Sequence, residues 1–168
     1  LHDRSGNGRL RSFSFIRSLY GHKDSVDSLC PNPDGLRLLT GSRDGYAAMW
    51  DVVTGRRLLR LHVGYPVKKV FFLTNQDAIF TWSTDKVARI WGIDGKLINE
   101  IPELNLPIRP TENELEIAAM SIDNRAVRVD LRNGSIKAAG ASIPGAGFLC
   151  FSERLDVVYG LKEGQRIQ

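Results

Sequence analysis

The chain lacks most of the features that announce a chemistry. It has no run of about 18 apolar residues, so no membrane-spanning helix is expected. Its opening, Leu1-His2-Asp3-Arg4-Ser5-Gly6, does not read as a signal peptide. Cysteine is scarce: Cys30 and Cys150 are too few for a disulfide framework, and both fall in apolar segments, so buried free thiols in a reducing compartment, cytosol or nucleus, are expected. There is no phosphate loop ending in Gly-Lys-Ser/Thr, no Gly-x-Ser-x-Gly elbow and no His-Glu-x-x-His. His2, His22 and His62 share no ligand spacing with one another or with the cysteines, so no metal and no cofactor are expected. Neither sign of charge dominates. With 23 Lys and Arg against 19 Asp and Glu the net charge is +4, a weak pointer to nucleic acid. A composition 42% hydrophobic and 25% charged belongs to a globular chain.

What is present is one ordered stretch, Gly21 to Asp51. It opens with Gly21-His22 and passes an apolar run at Val26, Leu29 and Cys30. The chain then turns at Pro31-Asn32-Pro33-Asp34-Gly35 and runs on through Leu36, Leu38 and Leu39. A second turn, Ser42-Arg43-Asp44-Gly45, leads to Ala47-Ala48-Met49-Trp50-Asp51. Short apolar runs between clusters of Pro, Asn, Asp and Gly are strand signals, and Asp-Gly is a hairpin pair. Three antiparallel strands are expected here, with a fourth supplied after Asp51.

Gly-His at one end, Trp-Asp at the other and Asp44 six residues before Trp50 resemble the WD-repeat (WD40) propeller family. The resemblance implies an all-β fold of four-stranded antiparallel blades, here an incomplete propeller. It also implies a hydrogen-bonded tetrad in each blade, for which His22, Thr40, Asp44 and Trp50 occupy the matching positions. A buried imidazole, carboxylate and indole N–H each need a partner and can satisfy one another.

A period of about 41 residues extends the pattern, since Trp91 follows Trp50 by 41, with Thr81 and Asp85 at the offsets of Thr40 and Asp44. In this second copy Gly92 stands for Asp51, and His62 falls one place out of register with the Gly-His position. In the third, Asp123 precedes Val129-Asp130 by six residues, but Val129 replaces Trp and Ala119 replaces Thr. The fourth is recognisable by Val157 to Gly164, with Glu163 at the Asp place. Leu1-His2-Asp3 aligns with Met49-Trp50-Asp51, so the chain reads as about four repeats, 1–51, 52–93, 94–131 and a truncated 132–168, of a longer propeller.

Along the chain, residues 9–20 are expected as an outer strand, followed by strands near 56–61, 67–73, 78–82, 87–91, 96–101, 116–122, 126–131 and 135–141. Pro102, Pro107 and Pro110 make 102–114 the least regular connection. Asn133-Gly134-Ser135 reads as a turn rather than a glycosylation site, and Gly145-Ala146-Gly147 as a blade entry loop. Asp44, Asp85 and His22 read as structural, not as an acid-base set, and no enzyme activity is expected.

In the family, partners dock on the top face, beside the start of the inner strand and before the tetrad Asp. Carried over, those places are Ser25, Asp27 and Arg43, then Pro66, Lys68 and Thr84, then Pro107, Arg109 and Ile122, and finally Lys162. Four of them are cationic and one is acidic, which predicts a rim preferring an acidic or phosphorylated peptide. The leading expectation is a non-enzymatic protein-interaction scaffold. Nucleic-acid association in an RNA-processing or chromatin assembly is the second. The third is substrate reception for a ubiquitin ligase, for which Trp50-Asp51-Val52-Val53 lacks the family's Arg and Val129-Asp130-Leu131-Arg132 lacks the Trp.

Overall fold

The computed structural model describes residues 17–73, 77–111, 115–142, 146–151 and 158–162. Side chains are described only up to Lys137. Three four-stranded antiparallel sheets and a two-stranded hairpin follow one another along the chain. The first sheet is β1 (Val26–Pro31), β2 (Arg37–Ser42), β3 (Tyr46–Asp51) and β4 (Arg57–His62), hydrogen-bonded in chain order. The second is β5 (Val67–Leu73), β6 (Ala78–Ser83), β7 (Ala88–Gly92) and β8 (Leu97–Ile101). The third is β9 (Leu104–Pro110), β10 (Glu116–Ser121), β11 (Arg125–Asp130) and β12 (Ile136–Ser142). β13 (Ala146–Phe151) and β14 (Val158–Lys162) form the hairpin. Each sheet thus takes its outermost strand from the sequence that follows the Trp-Asp position. Most of the expected strand at 9–20 lies outside the described residues, as do Gly145, Glu163 and Gly164, and residues 17–20 form no strand. Ala146 and Gly147, expected in a loop, begin β13.

These sheets stack face to face, because the period-2 alternation of each strand sends successive side chains into different interfaces. β6 is buried at every position. Ala78, Phe80 and Trp82 enter one core, shared with Leu104, Ile108, Ile117 and Val129 of the third sheet. Ile79 enters the other, shared with Leu39, Ala47, Met49 and Leu61 of the first. Phe71 and Phe80 are directly opposite on β5 and β6, and their rings stack at 4.2 Å. Sheets built and stacked in this way are propeller blades, and the three described here do not close a ring.

The proline-rich stretch expected as an irregular connection contains the inner strand of the third blade. β9 pairs with β10 across a register shift between Ala118 and Met120. Apolar burial at Leu104 and Ile108 holds it against the second blade. Pro107 and Pro110 are compatible with this because β9 lies at an edge of its sheet, where N–H groups on one side are not needed for pairing.

The turn between the second and third strands is shared by the blades. Gly45, Lys86 and Asn124 follow Asp44, Asp85 and Asp123, and all three take left-handed backbone, φ 83°, 64° and 59°. Blade contact is closest at Gly41, where an added Cβ would lie 2.7 Å from Val67 Cγ1 and 2.9 Å from Val70 Cγ1. Gly41→Val is therefore expected to push the first two blades apart and to destabilise the chain by about 1–3 kcal/mol, read from urea denaturation; an unchanged midpoint would mean that the interface tolerates separation.

Candidate functional site

In the first blade the hydroxyl of Thr40 is the centre of a polar chain. Trp50 Nε1 donates to Thr40 Oγ1 at 2.8 Å, and His22 Nε2 lies 2.7 Å from the same oxygen. His22 Nδ1 lies 3.0 Å from Asp44 Oδ2, which also accepts the Lys23 N–H at 2.9 Å. One assignment of protons satisfies every group: indole to hydroxyl, hydroxyl to imidazole, imidazole to carboxylate. Burial works against an ionised Asp44, but the hydrogen bonds from Lys23, His22 and Tyr46 outweigh it and hold the carboxyl below its usual range.

Blade two keeps half of this arrangement and replaces the rest. Trp91 Nε1 donates to Thr81 Oγ1 at 2.9 Å. His62, one place out of register in the sequence, is exposed at the end of β4, its ring 5.0 Å from that of Tyr46. Arg89 holds Asp85 instead. Its guanidinium donates to Asp85 Oδ2 at 2.7 Å, to Ser83 Oγ at 3.0 Å and to Glu100 Oε1 at 2.7 Å. Burial again disfavours the Asp85 anion, and Arg89, Ser83 and the Val87 N–H overcome it. The sequence signal for this was an arginine in an otherwise apolar strand, four residues after the acid and opposite Thr81. A second signal is Ser-x-Asp at Ser42, Ser83 and Ser121, where each serine hydroxyl bonds its own aspartate's backbone or carboxylate.

The third blade has no tetrad. Ala119 and Val129 stand in the Thr and Trp places and are both buried in the core, so no indole needs an acceptor. Its polar focus moves to Asp130, whose carboxylate receives Arg132 at 2.6 Å and Lys137 at 3.0 Å. Arg132 above all, with its own N–H and Lys137, holds that carboxyl far below the usual range.

The candidate rim residues fall into two equivalent sets. The Arg43 N–H donates to the Ser25 carbonyl at 2.9 Å, and the Thr84 N–H to the Pro66 carbonyl at 3.1 Å. Each bond ties the turn after β2 or β6 to the entry of the inner strand. Asp27, on β1, takes Arg43 Nε at 3.1 and 3.0 Å and is also bonded by Lys68 from the next blade. Lys68 and then Arg43 keep the Asp27 carboxyl ionised below its ordinary range. Arg109 and Ile122 are exposed on the third blade, Pro107 is half-buried, and Lys162 ends β14. Ser25, Asp27, Arg43 and Lys68 are thus brought together, whereas Arg109 stands on a different blade.

Among the described residues no group of three or more His, Cys, Asp or Glu could hold a metal ion. Cys30 is a free, half-buried thiol packed against both inter-blade cores; Cys150 lies on β13, and its side chain is outside the description. No described helix is long and apolar enough to cross a membrane.

A family profile described as "WD domain, G-beta repeat" matches residues 13–51, the segment that carries the His22, Thr40, Asp44 and Trp50 chain. That segment is a WD40 repeat, and the blades are of WD40 type. Its matched relatives include small ribosomal subunit protein RACK1y of Oryza sativa subsp. japonica, 30% identical over 80 residues, covering 48% of this chain and 24% of the relative. Small ribosomal subunit protein RACK1 of Medicago sativa is 29% identical over 89 residues, 53% of this chain and 27% of the relative. The RACK1 of Brassica napus is 27% identical over 100 residues, 60% and 29% respectively. The matched region spans only about a quarter of the length of these relatives. Across the three blades, therefore, the matching positions are filled by three different local chemistries, a histidine chain, an arginine clasp and an apolar core.

The depressed carboxyls set a pH dependence. Asp44 and Asp85 contribute stability that is present above their unfolded pKa of about 4 and is lost as pH falls through their lower folded values. Thermal stability should therefore drop below about pH 4, and an Asp44→Asn/Asp85→Asn variant should be less stable at neutral pH with a flatter acid limb. Arg89→Met, which leaves Asp85 without its clasp, should destabilise by about 2 kcal/mol in urea titration; a loss below a few tenths would mean that the clasp is ornamental.

Proposed function

We propose that the chain is a non-catalytic protein-interaction scaffold in the cytoplasm or nucleus, whose top rim receives an acidic or phosphorylated peptide of a partner in a multiprotein complex. The observation that carries this reading is the convergence of Ser25, Asp27, Arg43 and Lys68 at the junction of the first two blades. Asp27 already occupies both cations, so it acts as an internal stand-in for the ligand. An incoming carboxylate or phosphate competes with Asp27 for a guanidinium fork and an ammonium that are already oriented. Binding is then an exchange of anions, with Asp27 left to water, and a doubly charged phosphate is favoured over a single carboxylate.

The relatives' printed names associate them with the small ribosomal subunit, which supports assembly into a ribonucleoprotein particle as a second reading, alongside the net charge of +4. Substrate reception for a ubiquitin ligase draws little support. The only arginine in a suitable place, Arg132, is engaged by Asp130.

The anion-exchange reading makes opposite predictions for two variants. With a fluorescein-labelled acidic peptide and its phosphoserine form as probes, Arg43→Glu/Lys68→Glu should weaken binding at least about tenfold, the scale of losing one charge-assisted contact. Asp27→Asn, which frees both cations, should strengthen it several-fold. Unchanged affinity in both folded variants would remove the rim from consideration.

A further inference from the structure

Charges that the fold has already paired are poor docking points, and several of the described cations are paired. Arg43 and Lys68 share Asp27, Arg89 is held by Asp85 and Glu100, Arg125 by Asp123, Arg132 by Asp130, and Lys137 by Glu116 and Asp130. The outer strand of the first blade differs. Arg57 and Arg60 on β4 are exposed and, among the described residues, have no carboxylate partner. The nearest acid in sequence, Asp51, is occupied by the Thr54 N–H at 2.7 Å.

Both guanidinium groups stand beside rings of the neighbouring strand, Arg60 in stacking contact and Arg57 at the outer limit of a cation–π contact. Arg57 stands 5.9 Å from the centroid of Trp50, and Arg60 stands 3.5 Å from that of Tyr46. Register explains this. β3 pairs Trp50 with Arg57, Ala48 with Arg60 and Tyr46 with His62, and alternate residues of β3 share a face, while Leu59 and Leu61 point the other way into the inter-blade core. A guanidinium lying on a ring loses little further freedom on binding and keeps its N–H groups free at its rim. β4 is also a sheet edge, hydrogen-bonded to β3 alone. Between the arginines Leu58 is 47% exposed.

We infer that β4 is a docking edge for an extended acidic polypeptide segment, which adds to the first blade as a fifth strand and sets acidic side chains two residues apart against Arg57 and Arg60. Strand addition supplies main-chain hydrogen bonds, and the two held guanidinium groups supply selectivity for carboxylates. Single-stranded RNA fits the surface less well, because of the two rings that could stack bases Tyr46 is already covered by Arg60 and Trp50 is only 2% exposed. A second copy of this chain docking edge to edge would bring Arg57 and Arg60 against their own kind, a like-charge pairing. The other outer edges offer no equivalent. On β8 the exposed residues are apolar and Glu100 is taken by Arg89, while on β12 Lys137 is taken by Glu116 and Asp130.

The test is fluorescence anisotropy on the full chain with a labelled ten-residue peptide alternating Val and Glu. Binding should weaken with added salt and fall at least about tenfold in Arg57→Glu/Arg60→Glu. It should be unaffected by Arg43→Glu/Lys68→Glu, which separates this edge from the top rim. Should the charge-reversed variant fail to fold by circular dichroism, Arg57→Gln/Arg60→Gln and the peptide side carry the same question: a Val-Gln peptide and a Val-Glu peptide N-methylated at alternate residues should both bind at least about tenfold more weakly. No binding of the Val-Glu peptide, equal binding of the Gln or N-methylated peptides, or tighter binding of a ten-nucleotide oligouridylate would each overturn the inference, the first leaving Arg57 and Arg60 as charges that merely block edge pairing.

Discussion

Two-sided burial of the central sheet is the constraint on which the other features depend. A β-strand with both faces covered has nowhere to place a polar side chain except against another polar side chain. β6 is such a strand, yet it carries Thr81 and Ser83. Thr81 is admissible because the Trp91 indole reaches it, and Ser83 because Asp85 and Arg89 do. The same burial explains why Gly41 has no side chain: the residues that seal the first interface, Val67 and Val70, come from the next blade's inner strand and occupy the space that a Cβ would need. Polar contacts then cross the seams, with Trp82 Nε1 donating to the Leu104 carbonyl at 2.9 Å and the Val70 N–H to Ser28 Oγ at 3.1 Å.

Under that constraint the tetrad is one solution among several. What must hold is that no buried donor or acceptor is orphaned. In the first blade a histidine meets the requirement, in the second an arginine does, and in the third the requirement lapses because Val129 brings no indole and Ala119 no hydroxyl. The substitutions are coupled within each blade. Keeping Trp91 without Thr81 would bury an unpartnered N–H, and keeping Asp85 without Arg89 would leave a carboxylate facing a desolvated wall. Loss of both members in the third blade is therefore easier to accommodate than loss of either one.

This coupling also decides what the sequence disclosed. Strand positions were legible because each alternates and each is bounded by Gly, Asp or Pro turns, and the 41-residue offset between Trp50 and Trp91 carries the period into the second blade. β9 was harder to see. Pro107 and Pro110 carry the marks of a loop, and only the partners that bury Leu104 and Ile108 reveal the segment as an inner strand. Arg89 was equally obscure, since its meaning depends on Asp85, Ser83 and Glu100 arriving together, and Glu100 comes from another strand. At the rim, residue identity indicated a surplus of cations. The pairing of Arg43 and Lys68 with one aspartate needs the register of β1 against the next blade, which no local pattern encodes.

The electrostatics of this protein consequently turn on pairing rather than on count. A net charge of +4 is compatible with a uniformly mild surface. Some described cations are instead fixed by carboxylates within the fold, whereas Arg57 and Arg60 stand beside rings. An ion pair within the fold neutralises its own field and moves with the structure that contains it, whereas an arginine lying over an aromatic ring keeps its full charge directed at solvent. Arg43 and Lys68 can meet an external anion only by giving up Asp27. Arg57 and Arg60 have no such competitor among the described residues, and the edge on which they stand has unpaired backbone groups beside them. For a ligand of given charge, the outer edge therefore involves no exchange, and the rim always does.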